Sequence, residues 1–294
     1  MKGRVLVVAG SDSGGGAGIQ ADIKAITALD SFAATAITAL TAQNTLGVFG
    51  VVAVAPDFVR DQIRVVAEDI GADCVKTGML ANAAVIEAAF DEIGKRLPGV
   101  PIVVDPVMVA KGGASLLESD AVLTLIRRAL PMAALVTPNA PEAERLAGIP
   151  VHSLADMEKA GQRIFALGPK AVLVKGGHVA GGIVRDLLLT PDSARIFEAP
   201  RIATAHTHGT GCTLASAIAA GIARGMALED AVARAHAYLQ EAIRTAPGLG
   251  GGAGPVGHSH TVRPFMTEES GPEAPLHDPG GVVGAGAQRV GDDP

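Results

Sequence analysis

Residues 4–25 read RVLVVAGSDSGGGAGIQADIKA, and this stretch sets the architecture. Arg4–Ala9 is an unbroken aliphatic run, which predicts a strand buried on both faces. The run stops at Gly10, and the Gly14-Gly15-Gly16 turn opens a helix predicted over Ala17–Leu29. The same alternation continues along the chain. Ala34–Gln43 and Gly50–Val54 read as extended, and Pro56–Asp69 as a helix with Pro56 in its first turn. Ala72–Lys76 and Ile102–Val104 are short strands around a helix at Val85–Leu97. Leu135–Thr137 and Ala171–Lys175 repeat the pattern around a helix at Leu154–Leu167. Val184–Leu189 and Arg195–Ala199 are extended, and helices at Cys212–Arg224 and Leu228–Ala246 close the domain. Strands alternating with helices predict an α/β fold: a three-layer α/β/α arrangement around a mostly parallel sheet.

Composition narrows the function. The 294 residues are 48% hydrophobic and 18% charged, enough for a sizeable core. Tryptophan is absent, one tyrosine is present, and the net charge is −6 without a basic block. A nucleic-acid partner is therefore not expected. The two cysteines, Cys74 and Cys212, make neither a disulfide framework nor a zinc site. The apolar N-terminal run is too short for a signal segment, and no stretch has the length of a membrane span. These features predict a cytoplasmic protein with no membrane partner. From about Thr267 the composition shifts to Gly, Pro, Asp and Glu. The expected organisation is one domain over 1–266 and a disordered tail over 267–294.

Ligands of parallel sheets bind beyond the carboxyl ends of the strands. The chemistry-bearing residues sit at those predicted ends: Asp12, Gln43, Lys76-Thr77-Gly78, Asp105, Asn139, Lys175 and Cys212. Thr207-His208-Gly209-Thr210-Gly211-Cys212 is a glycine-rich turn running into an apolar helix, which offers backbone N–H groups and a positive helix end to an anion. Cys212 lies within reach of that anion. The helix end is expected to lower its thiol pKa, so that it can take a proton from a substrate hydroxyl. The bland alternative is a small buried helix residue, which is the reading preferred for Cys74. Asp105, Asn139 and Glu142 converge at strand ends, where such groups can hold Mg²⁺ through water. Taken singly they are turn or cap residues, with Asn139 capping a helix that starts at Pro141. Lys175 either meets a nucleotide phosphate or faces water. Asp12 and Asp22 flank the first glycine loop, and either bond a small polar ligand or belong to a simple strand-to-helix turn. The loop does not complete a G-x-G-x-x-G dinucleotide fingerprint. Gln43 can donate and accept at once, which suits an aminopyrimidine edge. His178, His206 and His208 lack the spacing of a helix-borne metal site.

Seven stretches in order carry a resemblance: AGSDSGGGAGIQADIKA from Ala9, TALTAQNT from Thr38, VKTGML from Val75, VVDPVMVAKGG from Val103, TPNAPEAE from Thr137, VLVKGGH from Val172 and THGTGC from Thr207. Over residues 4–246 the chain resembles the ribokinase-like superfamily, and within it the hydroxymethylpyrimidine/phosphomethylpyrimidine kinase family of thiamine biosynthesis. The resemblance implies the ribokinase-like fold and two successive ATP-dependent phosphorylations, of 4-amino-5-hydroxymethyl-2-methylpyrimidine and of its monophosphate. It implies ATP and Mg²⁺ as cofactors and a homodimer, with the apolar strand at Phe32–Thr41 as a contact. It implies that Gln43 reads the aminopyrimidine, with Asp12, Asp22, Met79 and Val107 on the substrate side. Asn139 and Glu142 match a motif that organises Mg²⁺ and phosphates, Asp105 joins Glu142 at the metal, and Lys175 stands at the nucleotide. Gly209, Thr210 and Gly211 become the anion hole, and Cys212 takes the base position. One segment departs from the family. Where members carry G-K-G-H-G-P-V-N-H, residues 250–258 read GGGAGPVGH, which removes a lysine, a histidine and an asparagine and any phosphate contact they supply. Lys111-Gly112-Gly113 is a candidate lid hinge on glycine content. Two alternatives stand beside the pyrimidine kinase: a pyridoxal kinase on the same fold, against which Gln43 argues, and a non-catalytic ligand-binding protein.

Overall fold

Apolar residues at consecutive positions of a strand must be covered from both sides, and the sheet is built to do this. In the computed structural model, which describes residues 3–108 and 119–262, the strands are β1 (Arg4–Asp12), β2 (Phe32–Asn44), β3 (Gly47–Ala53), β4 (Cys74–Thr77), β5 (Ile102–Val104), β6 (Leu135–Val136), β7 (Val172–Val174), β8 (Ile183–Leu189) and β9 (Ala194–Pro200). The helices are α1 (Gly18–Ala28), α2 (Pro56–Asp69), α3 (Ala83–Arg96), α4 (Ser119–Thr124), α5 (Ala140–Ala147), α6 (Leu154–Phe165), α7 (Thr210–Ala223) and α8 (Leu228–Arg244). Among the described residues the strands form one sheet in the order β3-β2-β1-β4-β5-β6-β7-β8-β9.

The central pairs from β2 to β7 are parallel, and β3, β8 and β9 join antiparallel at the two edges. The connections explain the split. A parallel neighbour needs a crossover of a dozen or more residues, whereas the short turns before β3 and β9 permit only hairpins.

Alternation along β1 divides the core. Leu6 and Val8 face a cluster with Val59, Ile63, Val85, Ile86, Phe90 and Met157, from α2, α3 and α6. Val5, Val7 and Ala9 face the opposite cluster with Ile19, Ile26, Leu214, Ile218, Val232 and Leu239, from α1, α7 and α8. Cys74 is fully buried in that second cluster, and burial raises its thiol pKa. The expected α/β/α layering and mostly parallel sheet are present.

One element was not expected. α4 continues through a π-helical turn at Leu125–Ala129 and a 3₁₀ turn at Leu130–Met132. Its buried residues Ala121, Leu125 and Ala129 recur every fourth position, a helical signal present in the sequence. The hinge expected at Lys111-Gly112-Gly113 and the tail over 267–294 lie outside the described residues, as does the domain boundary at 266. No helix among the described residues is long and apolar enough to cross a membrane.

Candidate active site

The chain order of the sheet brings the ends of β1, β2, β4, β5, β6 and β7 to one edge. Two glycine-rich turns meet there. A methyl on Gly209 would lie within 1.8 Å of the Gly16 carbonyl oxygen, so the turns before α1 and α7 touch through backbone alone. Gly209 also holds φ +81, a left-handed conformation that glycine adopts without strain.

The two turns differ in what they offer an anion. Asp12 fills the first: its carboxylate accepts hydrogen bonds from Gly14 N (2.8 Å), Gly16 N (3.1 Å) and Ala17 N (2.8 Å). His208 Nε2 adds a fourth contact at 2.9 Å. Burial pushes the Asp12 carboxyl up, but His208 and the backbone donors outweigh it and hold the group below the usual carboxylate range. The turn before α7 has no such internal anion. Its N-cap is Gly209, which carries no side chain to accept from the first-turn N–H groups. The helix end at Thr210, Gly211 and Cys212 has no side-chain cap.

Behind α7 lies a buried ion pair. Lys76 Nζ donates to Asp22 Oδ1 at 2.8 Å, and Ser216 Oγ donates to the same oxygen at 2.7 Å. Burial alone would lower the Lys76 ammonium, yet the Asp22 carboxylate holds it above the usual lysine range. Asp22 Oδ2 has no hydrogen-bond partner among the described residues. Cys212 lies in the first turn of α7, near enough to this pair for both charges to act on its thiol. The thiol does not follow the sequence expectation. Burial pushes it up to about 12, with Asp22 and Asp105 adding to the rise and Lys76 only partly offsetting it. Desolvation of the thiolate outweighs the lysine.

A second, partly buried charge cluster faces Gly211. Lys175 Nζ donates to Asp105 Oδ1 at 2.8 Å, and Thr137 Oγ1 donates to the same oxygen at 3.1 Å. A methyl on Gly211 would sit 3.2 Å from Lys175 Nζ and 3.7 Å from Asp105 Oδ2. The helix end, the lysine and the carboxylate therefore border one space. Asn139 and Glu142 form a reciprocal capping box on α5: Glu142 N donates to Asn139 Oδ1 (3.0 Å), and Asn139 N donates to Glu142 Oε2 (2.8 Å). Burial raises the Glu142 carboxyl to about 7, against the pull of Lys175 and with a push from Asp105. Among the described residues no three His, Cys, Asp or Glu side chains gather as a metal site. The donors present are carboxylate oxygens, the ligands Mg²⁺ takes in ones and twos while phosphates and water complete its shell.

Gln43, at the end of β2, closes the other side. Its amide nitrogen lies 3.2 Å from His208 Nε2, and Thr41 Oγ1 lies 3.3 Å from its Oε1. Met79 and Val107 follow β4 and β5 at the same edge. A methyl on Gly10 would come within 3.2 Å of Met79 Sδ, and Val107 N donates to Asp105 O in a tight turn. The 250–257 segment packs here too: Ala253 N donates to Thr45 O, and His208 N donates to Gly254 O.

Sequence reasoning placed no role on His208 or Ser216, and treated Lys76 only as a strand end. A lysine inside the apolar run Cys74–Val75–Lys76 was the available signal, since a lysine in a doubly covered strand requires a buried acid. Nothing in the spacing of His208 or Ser216 reveals their partners, which lie more than 160 positions away.

The family model for phosphomethylpyrimidine kinase matches residues 12–257. The chain belongs to this family. The bifunctional thiamine biosynthesis protein of Geobacter sulfurreducens is 52% identical over 260 residues, which cover 87% of this chain and 52% of that one. The chain thus spans about half of that relative. The hydroxymethylpyrimidine/phosphomethylpyrimidine kinase of Bacillus subtilis is 47% identical over 259 residues, covering 87% of this chain and 94% of that kinase. Among solved structures, the ADP complex of Bacillus subtilis pyridoxal kinase superposes with a TM-score of 0.83 at 34% identity, covering 90% and 99% of the two chains. Within one organism, sequence similarity to the phosphomethylpyrimidine kinase exceeds that to the pyridoxal kinase, while the fold is shared by both. The ribokinase-like fold and the kinase class read from the sequence stand.

Proposed function

We propose that this chain transfers the γ-phosphoryl group of ATP to the hydroxymethyl group of 4-amino-5-hydroxymethyl-2-methylpyrimidine, and then a second phosphoryl group to the monophosphate, as a step of thiamine biosynthesis. The observation that carries the reading is the uncapped start of α7, with Cys212 on one side and Lys175 and Asp105 on the other. Phosphoryl transfer requires mainly positioning and charge neutralisation, and this edge supplies both.

The first-turn N–H groups of Thr210, Gly211 and Cys212 take the transferring phosphoryl oxygens. Lys175 meets a nucleotide phosphate. Asp105 and Glu142 hold Mg²⁺, in part through water, and Asn139 keeps Glu142 in place through the capping box. The ion supplies positive charge against the phosphate oxygens. Gln43 reads the ring edge, with Met79 and Val107 lining the pocket. Asp22 acts from behind α7, where it holds Lys76 and Ser216. Asp12 acts through the loop it organises. Cys212 takes the proton of the attacking hydroxyl as its thiolate, a minor form that Lys76 and the helix end favour.

The enzyme works in the cytoplasm as a homodimer. Support for the dimer comes from the β2–β3 edge, where Leu46, Phe49 and Val52 are 69%, 72% and 67% exposed beside Leu40 and Val51. Incubation with Mg-ATP and either hydroxymethylpyrimidine or pyridoxal, with products identified by mass, tests the reading. Pyrimidine mono- and diphosphate are expected. Pyridoxal phosphate without a pyrimidine product would overturn it, and absence of turnover on both would favour a binding protein.

A further inference from the structure

We propose that Asp12 and His208 are a positioning pair that fixes the flip of the Gln43 side-chain amide and so decides which hydrogen-bonding edge the substrate ring meets. The proposal rests on Gln43 being the residue that reads the ring.

The argument starts from His208 Nε2, which lies 2.9 Å from Asp12 Oδ2. Asp12 accepts three backbone N–H bonds and is held in its ionised form, so it is an acceptor only. Nε2 must therefore carry the proton, whether the imidazole is neutral or charged. The same Nε2 faces the Gln43 amide at 3.2 Å. With the amide nitrogen turned toward His208, two donors confront one another. With the oxygen turned toward it, the Nε2–H is shared between Asp12 and Gln43.

The far side of the amide gives the same answer. Thr41 Oγ1 donates to Ser11 O at 3.0 Å and sits 3.3 Å from the other arm of Gln43. Ser11 O is the nearer of its two acceptors, and with the hydroxyl proton given there it receives from the amide. A nitrogen there satisfies Thr41, and an oxygen there does not. Both neighbours select one flip, because amide oxygen and nitrogen are distinguished by their partners. In that orientation one N–H and one carbonyl lone pair remain for a ligand edge that carries an acceptor beside a donor.

The imidazole packs closely against the first glycine turn. A methyl on Gly16 would lie 2.5 Å from His208 Cδ2, and Pro255 closes the same space. The His208 backbone N–H is tied to Gly254 O at 3.0 Å.

The test compares kcat/KM for hydroxymethylpyrimidine with that for pyridoxal in the full chain. Gln43→Met should collapse the ratio, and a ratio unchanged in that variant would end the Gln43 reading itself. Given the collapse, His208→Leu should lower the ratio about tenfold, chiefly through KM for the pyrimidine. His208→Gln places an N–H near the Nε2 position and should stay within about threefold of the parent. A ratio unaffected by His208→Leu, or lowered equally by His208→Gln, overturns the pair while leaving the Gln43 reading in place. A wild-type measurement stands apart from variant folding. In the ¹⁵N spectrum of histidine-labelled enzyme, His208 should show a protonated Nε2. A neutral ring with bare Nε2 overturns the proposal.

Discussion

Lys76 Nζ lies 2.8 Å from Asp22 Oδ1, and neither side chain is exposed to solvent. The pair joins β4 to α1 directly behind the start of α7. Each charge is tolerated in the core because the other is there.

Removing one partner should therefore be costly. Asp22→Ala is expected to lower the unfolding free energy by about 3–5 kcal/mol, because it strands a buried ammonium. The double variant Asp22→Leu, Lys76→Met should recover part of that loss. Urea unfolding of the single and double variants checks both statements. A double variant as weak as the single one would show that packing, rather than the unpaired charge, sets the cost.

Cys212 is expected to be a neutral thiol at pH 7, since burial pushes it up to about 12. If its thiolate accepts the hydroxyl proton, log kcat should rise by close to one per pH unit through the alkaline range, because the active form grows as the proton leaves. Cys212→Ala should lower kcat far more than substrate affinity and flatten the rise. A flat wild-type profile, or wild-type turnover in the variant, would remove the base role.

Glu142 gives a second pH signature. Burial raises its carboxyl to about 7, so its proton is lost at higher pH than an ordinary carboxyl's. A divalent cation binds the ionised form. Affinity for the Mg-nucleotide should therefore increase from pH 6 to 8, as the competing proton is lost. Glu142→Gln should bind more weakly, and titration calorimetry should find that its affinity lacks the Glu142 share of this increase. Parallel pH dependence in the two proteins would place the metal elsewhere.

The altered 250–258 segment makes a contrast. Gly251 is exposed, and a side chain there has room. Gly257 is buried, and a methyl on it would lie 2.1 Å from the Thr245 carbonyl oxygen. Gly251→Lys, which supplies the lysine that the family resemblance implies here, should leave the melting temperature unchanged and lower KM for the monophosphate. Gly257→Asn should cost about 1–3 kcal/mol and lower the melting temperature by several degrees. Differential scanning calorimetry separates the two. Equal effects would show that the segment shifts to accommodate the asparagine.

The sequence by itself determined the layering and the edge at which the candidate site residues gather. Runs such as Val5–Ala9 are apolar at every position, which requires cover on both faces, and glycine turns mark where each strand ends. Strand ends bearing Asp12, Gln43, Asp105, Asn139 and Lys175 were legible for the same reason. The capping role of Asn139 was also legible, since it depends on residues three positions apart. The tertiary structure alone decided the electrostatics. The drop expected for Cys212 rested on local helix geometry, whereas burial between Asp22, Asp105 and Lys76 governs it. Of the two readings of Asp12, ligand group or turn residue, the structure shows the loop contacts, made with Gly14, Gly16, Ala17 and His208. His208 reaches Gln43 and Asp12 across more than 160 positions. Periodicity and turn chemistry are local and can be read along the chain. Desolvation and hydrogen-bond satisfaction depend on which distant residues share a space, and only the packed molecule brings them together.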